Sequence, residues 1–260
     1  MTVEIEIDVN KSVEENAARY YEAVKKFRRK RDGAEQTLKD TEKKLEKLKE
    51  QEEIEEERQE AVAAPRKKAW FEKFRWFYSS EGYLCIGGRD ATTNEILIKK
   101  HTEPHETVTH TDMAGSPFFV IKSGEEEAGD ASIREAADAT ITFSKAWGRH
   151  MVSGEVSVVK GEQVTKEAQS GEFLAKGSFV IKGKTEYMEN SINLAIGIYE
   201  GAVMAGPVSA ISHHCADHVE VVQGDRKASD TAKAVRARIG GDLDEIIRAL
   251  PPGGSAIKKR

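Results

Sequence analysis

The sequence predicts an α+β protein: a long N-terminal coiled-coil helix, then a compact domain with a mainly antiparallel sheet and flanking helices. Three observations carry this. Residues 11–60 hold 14 Lys/Arg and 15 Asp/Glu, more than half of that stretch, whereas the rest of the 260 residues is closer to ordinary globular composition. An apolar seam of heptad spacing runs through the charged stretch. Beyond Pro65, short apolar runs bounded by Gly, Pro, Asn, Asp and Ser outnumber helical patterns. The expected organisation is a lead-in at 1–10, a helix at 11–64, a domain at 65–250 and a tail at 251–260.

In the lead-in, Val3, Ile5 and Ile7 alternate with Glu4, Glu6 and Asp8, the period of a short half-buried strand. Asn10 or Ser12 can cap a helix, and Ser12 followed by Glu15 has the spacing of a capping box. Val13, Ala17, Tyr20, Val24, Phe27, Ala34, Leu38, Leu45 and Leu48 then form an a/d seam over about five heptads. A seam of that length needs a partner helix, and the chain offers none of comparable length. The run Lys25–Arg31 (KKFRRKR) reads either as a solvated face or as a phosphate contact.

After Pro65, Trp70, Phe74 and Phe77 share one face of a predicted short helix. Tyr83–Gly87 and Asn94–Lys100 read as two strands of a hairpin, and Val108–Asp112 and Phe118–Lys122 as two more. Ser132–Trp147 has helical spacing, with Ser132 and Glu135 as a capping box. Glu155–Val159, Gly177–Lys182 and Ile192–Tyr199 are strand-like, and the stretch from Lys160 to Lys176 is rich in loop residues. Val203–Ile211 and His218–Val222 read as a hairpin, and Ser229–Ile239 and Leu243–Leu250 as closing helices.

The bulk numbers narrow the function. Net charge is −5, so any nucleic-acid contact must come from a local basic face. Two cysteines make no disulfide framework, no apolar run approaches the ~18 residues of a membrane span, and MTVEIEIDV has no signal-peptide pattern. A cytoplasmic protein with no membrane partner is expected. Gly87–Asp90 (GGRD) lacks the elements of a dinucleotide or P-loop site. Arg89 there is either an ion-pair partner of Asp90 or a phosphate ligand. His101, His105, His110 and Asp112 fit no zinc spacing, and His213, His214, Cys215, Asp217 and His218 lack a second ligand group. No Ser or Cys sits in a nucleophile motif. A non-enzyme without cofactor is expected; a metal- or nucleotide-using enzyme and a purely structural coiled-coil protein are the alternatives.

Basic and aromatic residues are interleaved from Trp70 to Gly124. Phosphates need Lys or Arg on one surface, and unpaired bases need exposed rings. The basic candidates are Lys73, Arg75, Arg89, Lys99, Lys100, Lys122, Lys145, Lys166, Lys176, Lys182 and Lys184, with Arg89, Lys99 and Lys100 expected at strand ends. Trp70, Phe74 and Phe77 are expected in the core.

Several ordered motifs carry a family resemblance: WFEKFRWFYSSEGYLCIGGRDATTNE, HTDMAGSPFFVIKSG, EAADATITFSKAW, QVTKEAQSGEFLAKGSFVIKGK and Gly206-Pro207. Over most of residues 65–220 the chain resembles the R domain of NFACT proteins, the ribosome-associated quality-control factors, and is most similar to the archaeal–eukaryotic branch. ENAARYYEAVKKFRRKRDGAEQTL resembles the family's second coiled-coil arm, which pairs with an upstream first arm. The resemblance implies an RNA-binding module that engages large ribosomal subunit RNA and peptidyl-tRNA. It also implies that the seam pairs with an N-terminal NFACT half or a second copy. Asp90, Asn94, His110 and Asp112, inside the GGRDATTNE and HTDMAGSP motifs, join the RNA-facing set. GEVSVV at Gly154–Val159 stands where relatives carry an aromatic-rich segment, and HTDMAGSP replaces the more usual HADxxGA.

Overall fold

Ser12 and Glu15 close the predicted capping box. The Glu15 amide donates to Ser12 Oγ at 3.2 Å and the Ser12 amide to Glu15 Oε2 at 2.8 Å. Helix α1 follows over Val13–Glu60. The computed structural model describes residues 4–60, 66–113, 115–167 and 175–258, apart from the side chains of 46–60. Val13, Tyr20, Val24, Phe27, Leu38 and Leu45 of the seam are exposed; Val3 and the Leu48 side chain lie outside the described residues. Residues 4–8 do not form the predicted strand. Their backbone groups are met by the start of α1 instead. Asp8 N–H donates to Asn16 Oδ1 at 2.9 Å, and the Tyr20 hydroxyl donates to the Glu6 carbonyl at 2.7 Å. The chain divides into two compact units, residues 1–65 and 66–260.

The second unit is α+β as predicted. Its first part holds β1 (Arg75–Tyr78), β2 (Leu84–Gly87), α2 (Ala91–His101), β3 (Thr107–His110), β4 (Phe119–Lys122), α3 (Asp130–Thr142), β5 (Ser153–Lys160), β6 (Val164–Thr165), β7 (Val180–Ile181) and β8 (Glu186–Ser191). Its second part holds β9 (Leu194–Tyr199), β10 (Ala202–Gly206), α4 (Val208–His214), β11 (His218–Arg226), α5 (Ala228–Ile239), α6 (Leu243–Ala249) and β12 (Ser255–Ile257). A six-stranded sheet has the order β1-β2-β4-β3-β5-β8, a four-stranded sheet β10-β9-β11-β12, and β6 pairs with β7. All ladders are antiparallel.

Phe77 and Phe119 pack together on one face of the large sheet, and Phe119 stacks on Phe143 just beyond α3. A side chain at Gly206 would strike Phe77, so the small sheet packs against this same face through a glycine. Thr109, also on this face, bonds Thr140 of α3 at 2.7 Å. His110, the next residue, therefore points to the opposite face.

Four expectations are corrected. Trp70–Phe77 is not a helix: Trp70–Lys73 is a single 3-10 turn and Arg75–Tyr78 is β1. Trp76 and Phe77 are both buried, and a strand covered on both faces shows no alternation. Asn94–Lys100 is helical, not a strand. Asp90 accepts the Thr93 amide at 2.8 Å as N-cap, and Asn94, Leu97 and Ile98 make a buried i, i+3, i+4 stripe. Val203–Ile211 is β10 followed by α4, separated at Pro207, and β11 pairs with β9 and β12 rather than with β10. The tail supplies β12. The α3 cap also differs from expectation. Gly129 is its N-cap, Glu81 of the β1–β2 turn accepts the Ser132 amide at 2.9 Å, and Glu135 accepts the Ser80 amide at 2.8 Å.

Candidate nucleic-acid interface

Where β2 ends, Gly88, Arg89 and Asp90 turn the chain into α2. One turn into that helix, buried Asn94 ties the loop before β4 to it. Its Nδ2 donates to the Ser116 carbonyl at 3.2 Å and its Oδ1 accepts the Phe118 amide at 3.1 Å. Beside this loop the His110 ring lies flat on Phe118, centroids 3.8 Å apart and 4° from parallel. His110 Nδ1 is 3.1 Å from the Pro117 carbonyl, which only accepts, so Nδ1 carries the proton. Burial pushes the imidazole below its ordinary range, outweighing the Pro117 carbonyl and Asp112, and the ring is neutral at neutral pH.

The opposite wall comes from residues 175–181. Gly177, at φ 81°, brings the backbone against Ala91, where a side chain would meet Ala91 Cα at 2.6 Å. The Gly177 amide donates to Glu95 at 3.2 Å, and Lys99 and Lys166 pair with Glu95 at 2.7 and 3.3 Å. Lys99, that amide and Lys166 hold the Glu95 carboxyl at about 2. Lys166 also sits 5.0 Å over the Phe179 ring, which meets Phe118 edge-on at 5.5 Å. These walls enclose a cleft of about 550 Å³ that also reaches Asp90, Asp112, Lys176 and Tyr187. The volume suits one drug-sized or nucleotide-sized group.

The structure brings Asp90, Asn94, His110 and Asp112 together at this cleft. Lys166 braces its wall and Lys145 stands at its rim, 3.4 Å from where a Gly115 side chain would begin. A second basic patch lies at the far end of α2. There Trp70 is 48% exposed and stacks on His101 at 4.6 Å, with Lys73 3.5 Å from that imidazole and Lys100 exposed beside it. Trp70 therefore departs from the expected core role, whereas Phe74 and Phe77 are buried. Lys182 pairs with Glu167 at 2.6 Å, and Lys184 is exposed nearby.

Three basic candidates are turned inward. Arg75 lies 4.1 Å over the Phe143 ring and donates to the Leu250 carbonyl at 3.4 Å; burial, with Arg89 nearby, lowers it to about 9. Arg89 is not presented at a strand end. It donates to the Phe74 carbonyl at 2.8 Å, the Lys73 carbonyl at 3.3 Å and the Arg248 carbonyl, and burial lowers it to about 10. The acceptors explain both positions, because buried carbonyls need donors and a guanidinium supplies five. Lys122 pairs with buried Glu106 at 2.7 Å and donates to the His101 carbonyl at 2.9 Å. Lys99 and Lys100 are in the last turn of α2, not in a strand.

His214 meets the Ser79 carbonyl at 2.7 Å and His218 the Cys215 carbonyl at 3.0 Å. Among the described residues no three His, Cys, Asp or Glu side chains converge as metal ligands would. Sequence reasoning missed Phe179 and Tyr187. Tyr187 lies in KTEYMENS, a polar stretch whose only strand signal is one aromatic at an edge.

The histidines give a pH prediction. Burial, then Lys73, Lys122 and Lys100, hold His101 below its ordinary value, as burial does His110. The unfolded chain therefore protonates first, and this stability is complete above the ordinary value of about 6.5 and is lost as pH falls through the lower folded values. Asp138, raised by burial, acts in the opposite sense. The thermal midpoint is expected to drop between about pH 7 and about pH 5.5, with a shallower drop in His110→Phe.

The fold and site define a binding module: a preformed cleft with stacked rings and a lysine rim, on a rigid antiparallel scaffold. Residues 73–183 match the NFACT protein RNA binding domain, and residues 1–67 match the NFACT N-terminal and middle domains. The archaeal Rqc2 homolog aRqcH of Methanocaldococcus jannaschii is 35% identical over 203 residues, covering 75% of this chain and 30% of that protein. The human ribosome quality control complex subunit NEMF is 37% identical over 182 residues, covering 68% and 16%. The Schizosaccharomyces pombe ribosome quality control complex subunit 2 is 32% identical over 199 residues, covering 73% and 19%. The C-terminal structure of the fibronectin/fibrinogen-binding protein from Streptococcus suis aligns with TM-score 0.40 at 18% identity, over 50% of this chain and 48% of that one, too distant to add to these matches. The chain belongs to the NFACT family, and it spans 30% or less of the length of these relatives.

Proposed function

We propose that this chain is the RNA- and ribosome-contacting module of a cytoplasmic quality-control factor. In this reading it engages obstructed large ribosomal subunits bearing peptidyl-tRNA and has no catalytic site of its own. One observation carries the reading: Asp90, Asn94, His110, Asp112, Lys176 and Phe179, scattered in sequence, meet at one cleft, and all lie within the stretch that matches an RNA-binding domain. Lys100, Lys145, Lys176 and Lys184 make no ion pair among the described residues, which leaves them to serve phosphates. The names of the relatives place them in ribosome quality control. No described helix is long and apolar enough to cross a membrane. The exposed seam of α1 takes a helix of an N-terminal NFACT arm, or of a second copy.

The test is cosedimentation of the purified chain with purified large ribosomal subunits. Binding through about four phosphates weakens on the order of 100-fold between about 50 and about 200 mM salt. Absence of binding at the lowest salt, or binding indifferent to salt, overturns the reading.

A further inference from the structure

Four side chains stand in one row across the face of the large sheet turned away from α3. His110 is opposite Ser157, and Ser157 is opposite Tyr187. Thr109 is opposite Phe119, so the next position places Phe118 beside His110, where the two rings stack. The row therefore reads Phe118, His110, Ser157, Tyr187. Directly opposed residues share a face, and strands lie ~4.8 Å apart, so the His110 and Tyr187 positions are separated by roughly 9–10 Å. Between them in the row is Ser157, itself buried, its hydroxyl bonded to the His110 carbonyl at 2.9 Å, and His110 and Tyr187 both line the cleft. One face of His110 is covered by Phe118, and the ring lines the cleft whose far side holds Tyr187, so the gap meant below is the part of that cleft between the two rings.

Resting on the RNA-binding reading, we propose that the gap is a slot for a single unstacked RNA base bearing an exocyclic amino group, inserted between His110 and Tyr187. A flat ring needs two contacts of ~3.5–4.0 Å, or roughly 7–8 Å in all. Tyr187 is 57% exposed on the edge strand β8, so it can lean in to close the remainder. The base extends the stack that Phe118 and His110 already begin, and the neutral imidazole gives it an uncharged face. Asp112 supplies the selectivity. It is exposed and lines the same cleft, where a carboxylate opposes phosphates but accepts from an amino group. Lys176 and Lys145 at the lip serve the flanking phosphates.

The test uses the whole chain with labelled hexacytidine and hexauridine, whose bases differ in the group Asp112 would read. Fluorescence anisotropy should show hexacytidine binding about 10-fold tighter. Asp112→Asn, which can serve either base, should remove that preference. Tyr187→Ala should weaken both oligomers about 10-fold, the loss of one stacked base, with an unchanged salt slope, and Tyr187→Phe should restore binding. Equal affinity for both oligomers together with an inert Tyr187→Ala overturns the slot; if both still bind with steep salt dependence, the RNA-binding reading stands without it. If the unaltered chain binds neither oligomer, both fail.

Discussion

Replacing Lys73, Lys100, Lys145 and Lys176 together by glutamate is expected to lower affinity for single-stranded RNA on the order of 100-fold and to flatten the salt dependence by about 3 in log–log slope. The four residues belong to the two patches at the ends of α2, an 11-residue helix roughly 16 Å long, a span that a few nucleotides cover. Each is exposed, and none is ion-paired among the described residues. Reversal of exposed charges typically moves stability by only about ±0.5 kcal/mol, so the thermal midpoint should hold while binding collapses. An unchanged salt slope would show that phosphates meet some other surface, with the Lys25–Arg31 run of α1 as the next place to look.

The second large effect is on folding. Arg89→Gln is expected to destabilise the second unit by about 3 kcal/mol, read as a lower urea midpoint with little change in slope. Its guanidinium serves three backbone carbonyls, of Lys73, Phe74 and Arg248, and so joins the turn before β1 to the end of α6. A glutamine reaches one of them at best. Lys99→Gln, in the last turn of α2, removes only an exposed pair with Glu95 and should cost well under about 1 kcal/mol. A folded Arg89→Gln protein with an unchanged midpoint and lost RNA affinity would restore Arg89 as a phosphate ligand.

These two arginine and lysine cases show what the sequence could and could not say. The long helix was legible because a capping box and a heptad seam are local and periodic. The α+β class followed from many short apolar runs. Strand against helix was not legible for NEILIKK or WFEKFRWF. Short apolar runs fit both periods, and double-sided burial erases alternation. The His110 and Asp112 motif could be singled out, but Tyr187 could not, because it joins the site through the pairing of β3, β5 and β8 and not through nearby sequence. Likewise, nothing in GGRD distinguishes an arginine aimed at phosphate from one aimed at three carbonyls contributed by distant segments. Charge is readable from sequence; its direction in space is set by long-range packing.

RNA is predicted to lie on the face of the large sheet that carries His110 and Tyr187. Ultraviolet crosslinking of the purified chain to a single-stranded RNA, followed by peptide mapping, tests it directly. Adducts are predicted on Tyr187, His110 or Phe179, with further ones on Trp70 at the other end of α2. Adducts confined to α1, or to α5 against the small sheet, would contradict it.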